Sequence, residues 1–149
     1  MSVELTPRGT RGTTYPKLPQ PLMKILLPIG NWVMRLRGAR LLELTTTGAR
    51  SGLPRTVTLG WFPDGKDAWL VVASNAGAAQ HPAWYINMAK NPDQVWITVD
   101  GRKVHVQPES LKGEEREEAW RRIVAKSPGY GGYTTKTDRE IPVVRLRTA

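Results

Sequence analysis

The sequence predicts a mainly β domain of the α+β class: a six-stranded antiparallel split β-barrel with about three flanking helices. Six short segments have the composition of strands and are separated by turn residues. Strand and helix segments do not alternate as β-α-β units, which disfavours a parallel sheet. The 149 residues include 12 Pro and 14 Gly, enough for many turns. Closing so small a sheet into a barrel would remove its exposed edges.

The length suits one domain preceded by a short arm. Residues 1–19 mix Thr, Gly, Pro and Arg without periodicity, so we expect a flexible basic arm there. Residues 20–149 are expected to form the single domain. No signal peptide is recognisable at the start, which indicates a cytoplasmic protein.

An amphipathic helix is predicted over residues 22–37, as the first element of the domain. Apolar residues recur there at helical spacing, Lys24 and Pro28 fall on the opposite face, and Pro28 is expected to kink the helix. The apolar run is broken by Lys24 and is shorter than the roughly 20 residues that a membrane span needs. Two interpretations stay open: the apolar face packs on the domain, or it lies on an anionic membrane surface, which would make the protein peripheral at the inner face.

Three strands are predicted next. Leu and Thr indicate a strand over 41–47, and a turn from Thr47 to Gly52 joins it to a second strand over 55–62. Pro63-Asp64-Gly65 is a turn, and the apolar run after it predicts a third strand over 68–74.

The second half of the chain is expected to contain two helices and three strands. Pro82 is a favourable first helical residue, and Asp100-Gly101 is a hairpin signal. The predicted elements are a helix over 82–91, strands over 94–99 and 102–107, a helix over 114–126 and a strand over 141–146. Residues 75–79 and 127–133 are expected to be loops.

Composition excludes several kinds of chemistry. The chain carries a net charge of +9 and no Cys, so disulfides, thiolate zinc sites and Cys nucleophiles are excluded. His81 and His105 have no evident partners, so no metal site is expected; we expect His81 to cap a helix or lie on the surface, and His105 to be structural. The basic excess lies mostly in the first 40 residues, which disfavours specific nucleic-acid binding. Without a phosphate-binding loop or a serine-hydrolase elbow, a bound cofactor would carry any chemistry.

Three clusters remain as candidate binding features. Residues 45–55 combine hydroxyls, a glycine turn, Arg50 and Arg55, which suits an anion, although a hairpin turn with solvated arginines has the same composition. Residues 73–87 place a small-residue loop before a helix, a second anion-binding feature in which Trp84 or Tyr85 could equally be core.

The third cluster is the Gly/Tyr segment over 127–133. Tyr130 and Tyr133 on an exposed loop could cover a pocket, stack on a planar ligand and donate a proton. The alternative is a loop that the two tyrosines anchor by packing.

In this order, the clusters resemble the deazaflavin-dependent nitroreductase family of split β-barrel proteins. The matching stretches are LTTTGARSGLPR (44–55), ASNAGAAQHPAWYINMAKNP (73–92) and PGYGGYTTKTDREIPVV (128–144). The resemblance implies a split barrel that binds reduced coenzyme F-420, a hydroxy-deazaflavin with a phosphate and a poly-glutamate tail, and transfers its hydride to organic acceptors. It favours F-420 over FMN.

The resemblance also implies a set of site residues. Ala49, Arg50, Ser51 and Arg55 would hold the phosphate and the tail. The remaining cofactor contacts would come from Thr56, Val57, Thr58, Leu59, Gly60, Val72, Ala73, Ser74, Asn75, Ala83, Trp84, Tyr85, Ile86, Asn87 and Tyr130. Tyr133 would flank the acceptor pocket. Since the cofactor supplies the hydride, the protein needs a proton source, for which Ser74, Tyr130 and Tyr133 are the catalytic candidates and solvent water is the alternative.

Two departures from the family concern the acceptor and the tail. Ala49 stands where members often carry a basic residue, and Gly60 where some nitroreductases carry a tyrosine near the acceptor. We therefore predict an F-420-dependent reductase of quinones, nitroaromatics or other planar conjugated acceptors, as a monomer or homodimer. The alternative is a non-enzymatic carrier of F-420 or a flavin.

Overall fold

The computed structural model describes residues 3–14, 20–36 and 40–149. Within them the chain forms a seven-stranded antiparallel sheet and four α-helices. The strands are β1 (Leu41–Thr47), β2 (Pro54–Gly60), β3 (Phe62–Pro63), β4 (Ala68–Val72), β5 (Trp96–Val99), β6 (Arg102–Ser110) and β7 (Val143–Thr148). The helices are α1 (Gln20–Leu36), α2 (Ala83–Lys90), α3 (Gly113–Lys126) and α4 (Gly129–Lys136), and a 3-10 turn covers Asn75–Gly77.

The strand order β2-β1-β5-β6-β7-β4-β3 confirms the mainly β split-barrel class. Every pairing is antiparallel. The seventh strand arises because Trp61 divides the predicted strand over 55–62 into β2 and β3. Its amide still donates to the Arg40 carbonyl at 3.0 Å, in register with the β1–β2 pairing, whereas Phe62 after it pairs with Leu70 of β4.

The core consists of two clusters, one on each face of β4. Trp69 and Val71 belong to the cluster that α2 covers, whereas Leu70 and Val72 belong to the cluster that α3 covers. The division follows from the period-2 alternation of a strand. Each fully buried aliphatic side chain contributes about 1.5–3 kcal/mol to stability, so β4 is held from both sides.

The prediction of a loop over 127–133 is wrong, because α4 begins at Gly129. Its three glycines have low helix propensity, but tertiary packing compensates. Tyr130 and Tyr133, three residues apart, lie on one helical face and pack against the cluster around Ile123. The hydroxyls of Thr134 and Thr135 donate to the carbonyls of residues 131 and 132 at 2.8 Å.

The N-terminal strap, residues 3–14, also departs from expectation. The predicted flexible arm is bound to the domain along this stretch: Val3 is buried in the core, and the amide of Gly9 donates to the Ala79 carbonyl at 2.8 Å. Asp138 accepts hydrogen bonds from the hydroxyl and amide of Thr10 and the amide of Arg11. These bonds lower the pKa of the Asp138 carboxyl to about 2. Residues 1–2 and 15–19 of the predicted arm lie outside the described residues.

Helix α1 agrees with the predicted helix over 22–37, of which Arg37 lies outside the described residues. Pro28 lies inside it. Its described large apolar side chains are 39–63% exposed: Leu22, Ile25, Leu26, Leu27, Ile29 and Trp32. Among the described residues, no helix has the length and hydropathy to cross a membrane.

Candidate active site

A continuous groove runs along the edge strand β2. Two connected cavities of about 570 and 990 Å³ form it, and they share Thr56, Val57, Ala83 and Trp84. Strand β2 is one wall; the first turn of α2 and the loop after β4 are the other. An edge strand has no neighbour on its outer side, which leaves this space open to a ligand.

The smaller end of the groove is cationic. The turn between β1 and β2 is closed by hydrogen bonds from the Gly48 amide to the Leu53 carbonyl (2.8 Å) and from the Gly52 amide to the Gly48 carbonyl (2.9 Å). Arg50 extends from this turn and Arg55 from the start of β2, and both are exposed. Within residues 3–14, 20–36 and 40–149, neither guanidinium has an ion pair or a hydrogen bond. Both are therefore available to an anionic ligand.

Buried Asn87 fixes this turn relative to α2. Its Oδ1 accepts the Ala49 amide at 2.9 Å, and its Nδ2 donates to the Thr46 hydroxyl at 3.4 Å. A side chain that binds both the turn and β1 sets the width of the groove at its cationic end.

The loop after β4 forms the opposite wall at the larger end. Ser74 and Asn75 line the groove, and Asn75 and Ala76 have φ of 43° and 50°. Positive φ in non-glycine residues is strained and needs fixed surroundings. The Gly77 amide donates to the Ser74 carbonyl at 2.8 Å and the Ala78 amide to the Asn75 carbonyl at 3.0 Å, which holds the turn.

His81 is buried, 8% exposed, and reaches the groove wall; the expectation of a capping or surface position is wrong. Its Nε2 donates to the Thr6 carbonyl at 2.7 Å, and its Nδ1 accepts from Arg139 Nη1 at 3.1 Å. Burial lowers the pKa of His81, the Thr6 carbonyl opposes this, and the Arg139 charge lowers it further. The imidazole is therefore neutral at pH 7. His105 lies in β6, stacked on Trp96.

Tyr130 closes the larger end. Its ring packs edge-on against Phe62 and Tyr133, at centroid distances of 5.7 and 5.6 Å. Its hydroxyl lies near Gly60, 3.7 Å from where a β-carbon on that glycine would stand. Burial raises the pKa of the Tyr130 hydroxyl and Tyr133 raises it further, so the phenol is protonated and can donate.

Most predicted site residues meet on the walls of this groove. They are Ala49, Arg50, Ser51, Arg55, Thr56, Val57, Thr58, Leu59, Gly60, Val72, Ser74, Asn75, Ala83, Trp84, Ile86, Asn87 and Tyr130. Three do not line it: Ala73 is buried, Tyr133 stands behind Tyr130, and Tyr85 lies in the core with its hydroxyl donating to the Glu4 carbonyl.

Other lining residues were not predicted: Leu27, Pro28, Glu43, Thr46, Gly48, Ala76, His81 and Pro82. Five of these residues, Thr46, Gly48, Ala76, His81 and Pro82, lie inside the sequence clusters and could have been included. Leu27 and Pro28 belong to α1, and no local signal in their sequence connects that helix to the groove.

Comparisons with known proteins place the chain among F-420-dependent enzymes. The family model for F420H(2)-dependent quinone reductase matches residues 28–148. A curated relative, the F420H(2)-dependent quinone reductase of Mycobacterium tuberculosis strain H37Rv, is 38% identical over 108 residues, 70% of this chain and 71% of the relative.

Two solved structures agree in fold. An F420-H2 dependent reductase (FDR-A) has a TM-score of 0.64 at 38% identity, over 72% of this chain and 94% of that chain. A protein described as a domain-swapped dimer has a TM-score of 0.65 at 32% identity, over 86% of this chain and 100% of that chain. Together with the family match, these likenesses establish that the chain belongs to the F420H(2)-dependent quinone reductase family and is an oxidoreductase whose cofactor is reduced coenzyme F-420.

Proposed function

We propose that the groove is the active site, in which the phosphate and glutamate tail of reduced F-420 occupy the cationic end and the deazaflavin lies toward Ser74 and Tyr130. The observation that carries the proposal is the polarity of the groove. It leads from the exposed guanidinium groups of Arg50 and Arg55 to an apolar stretch that ends at a protonated tyrosine. When bound, the deazaflavin supplies the hydride that reduces a quinone.

The residues present suit such a cofactor. Guanidinium groups bind phosphate and carboxylate in bidentate fashion, and the cationic end offers two of them. Val57, Leu59 and Trp84 present apolar surface along the middle of the groove, where a flat conjugated ring can bury its faces. Glu43 is the one acidic residue among the groove-lining residues that the structure describes.

The chain's own residues then position the cofactor and the acceptor, exclude water from them and supply a proton. Tyr130 is held by ring packing on two sides, so its hydroxyl has a fixed direction toward the groove. Ser74 provides a second hydroxyl on the opposite wall. Either can donate to the reduced acceptor, and general acid catalysis of this kind is worth about 10²–10⁴-fold in rate.

The acceptor is proposed to reach the groove from beside α1. Leu27 and Pro28 of that helix line the larger cavity, and the other described apolar side chains of α1 are exposed next to it. An apolar helix that borders the groove suits an acceptor dissolved in lipid, and Lys24 adds attraction to an anionic surface. Gly60 leaves room beside Tyr130, which suits nitroaromatics and other planar acceptors as well as quinones.

The decisive experiment is a turnover assay. Reduced F-420 and menadione are mixed with protein, and the return of the oxidised cofactor's absorbance is followed against a blank without protein. Nitrobenzoate and a cyclic enone serve as further acceptors. No turnover with any of the three classes contradicts the enzyme proposal. Retained F-420 affinity without turnover supports the carrier alternative.

The membrane proposal has its own test. Flotation with vesicles of anionic lipid should carry the wild-type protein and leave the Ile25→Ser/Leu26→Ser variant in solution, because the two exposed side chains supply apolar contact. Turnover with dissolved menadione, which has no long apolar tail, should be equal in both when no vesicles are present. Equal flotation would contradict the proposal. If light scattering gives twice the monomer mass for the wild type and a lower mass for the variant, the helix contacts a second copy of the chain instead.

A further inference from the structure

Arg139 is buried, 6% exposed, and its guanidinium binds the loop after β4. Nε donates to the Ala78 carbonyl at 2.9 Å, Nη1 to the Ala73 carbonyl at 3.0 Å, and Nη2 to the Ser74 carbonyl at 2.7 Å. Nη1 also donates to His81 Nδ1 at 3.1 Å. One planar side chain thus reaches both ends of the loop.

Two of these carbonyls flank one residue. The Ala73 carbonyl belongs to the peptide group before Ser74, and the Ser74 carbonyl belongs to the peptide group after it. Since peptide groups are planar, fixing both fixes the direction in which the Ser74 side chain leaves the backbone. Ser74 faces the groove, whereas Arg139 is not among its lining residues.

The loop also needs such support. Asn75 and Ala76, which follow Ser74, have positive φ, a conformation that costs a non-glycine residue about 1–2 kcal/mol. Strained residues persist only where surrounding contacts over-determine them. Three hydrogen bonds from a buried cation are contacts of that strength.

His81 keeps the guanidinium in place. Its Nδ1 accepts from Arg139, and its Nε2 donates to the Thr6 carbonyl of the N-terminal strap. The ring can serve both partners only as the neutral tautomer with the proton on Nε2.

We propose that Arg139 is a positioning residue of the active site, which acts on the reaction through the Ser74 loop without touching the cofactor or the acceptor. The kinetic part of this inference rests on the proposed function. Displacement of a catalytic hydroxyl by about 1 Å can cost 10²-fold in rate. Cofactor affinity, supplied mainly at the cationic end, is expected to change little.

The test compares Arg139→Met and Arg139→Lys with Arg121→Met, a control on the exposed side of α3. Arg139→Met should lower kcat about 10–100-fold and change the Kd of F-420 less than about 3-fold. Lysine keeps the charge but cannot span the carbonyls, so Arg139→Lys should fall in between. The control should match the wild type in every assay.

A double-mutant cycle separates positioning from general destabilisation. In a Ser74→Ala background, Arg139→Met should lower kcat by less than about 3-fold, because the group it positions is already gone. Additive losses would overturn the proposal, as would an unchanged kcat in both Arg139 variants.

A measurement without cofactor keeps the two proposals distinguishable. Hydrogen exchange in the free protein should show faster exchange of the Gly77 and Ala78 amides, whose partners lie in the loop, in both Arg139 variants and not in Arg121→Met. Unchanged exchange in Arg139→Lys would overturn the positioning role even if Arg139→Met did not fold. Failure of the wild type to turn over with F-420 would overturn the proposed function alone, and the exchange result would still decide on Arg139.

Discussion

The cationic end of the groove gives the sharpest test of cofactor orientation. We expect Arg50→Met and Arg55→Met each to weaken F-420 binding, because each removes a guanidinium that has no ion pair among the residues the structure describes. Two unit charges at 4 Å interact by about 1 kcal/mol in bulk water and about 4 kcal/mol at a protein surface of lower polarity. Both arginines are exposed, so the lower end applies.

We therefore take about 1–1.5 kcal/mol for each arginine, which corresponds to an increase of about 5–13-fold in Kd. The Kd of F-420 should rise about 30–150-fold in the double variant if the two arginines act independently. Added salt should weaken the wild type more than the double variant, since exposed charges are screened.

Quenching of intrinsic tryptophan fluorescence can follow binding, because Trp84 lines the groove. The discriminating ligand is a deazaflavin that lacks the phosphate and the glutamate tail: its Kd should be the same in the wild type and in both variants. Arg102→Met, an exposed arginine on β6, serves as the control. The proposed orientation would be refuted if the variants lost equal affinity for F-420 and for the tailless deazaflavin, or if the double variant lost no affinity for F-420.

Three further predictions concern the proton source, the pH dependence and the core. Tyr130→Phe should lower kcat about 10²-fold or more and leave the Kd of F-420 nearly unchanged; equal turnover would exclude Tyr130 and leave Ser74 or water as the proton source. The pKa of His81 is lowered in the folded state from 6.5, so its contribution to stability is present above pH 6.5 and is lost as the pH falls through the folded value. Urea unfolding at pH 8 and pH 5 should thus show a smaller decrease in the free energy of unfolding for His81→Gln than for the wild type; equal decreases would assign the acid sensitivity elsewhere. Leu44 is fully buried and Leu53 is 57% exposed. Leu44→Ala should lower the free energy of unfolding by about 2–5 kcal/mol, and Leu53→Ala by about 0.5 kcal/mol or less. Similar decreases for the two variants would contradict the described core.

Regular elements were predictable where local patterns and tertiary structure agree. Strand β1 has the predicted bounds, and α2 and α3 lie within one residue of theirs. The Tyr130 segment was not predictable, because three glycines disfavour a helix locally and only packing against the Ile123 cluster compensates. The strap was missed for a similar reason: its partner Asp138 is more than 120 residues away.

The site was largely predictable from its motifs, and helix geometry refines the rest. Along α2, Ala83 and Asn87 share a face, while Tyr85 points about 200° away from Ala83 and enters the core. On β4 and the residues after it, Val72 and Ser74 line the groove, whereas Ala73 between them belongs to the core cluster that α2 covers. The contribution of Arg139 was not predictable, since only the fold brings it to a loop about 60 residues earlier.

The strap has a consequence for the order in which its contacts can form. Arg11 and Thr10 bind Asp138, and the Thr137 hydroxyl donates to the Arg11 carbonyl, across 126 to 128 residues of sequence. These bonds cannot form until Asp138 has been synthesised, whereas the bonds of Gly9 to Ala79 and of Thr6 to His81 need the chain only as far as residue 81. Domains generally fold from their N-terminal parts onward during synthesis, but here one end of the strap waits for a late segment. Arg139 belongs to that same segment, so the strap and the Ser74 loop gain their last contacts together.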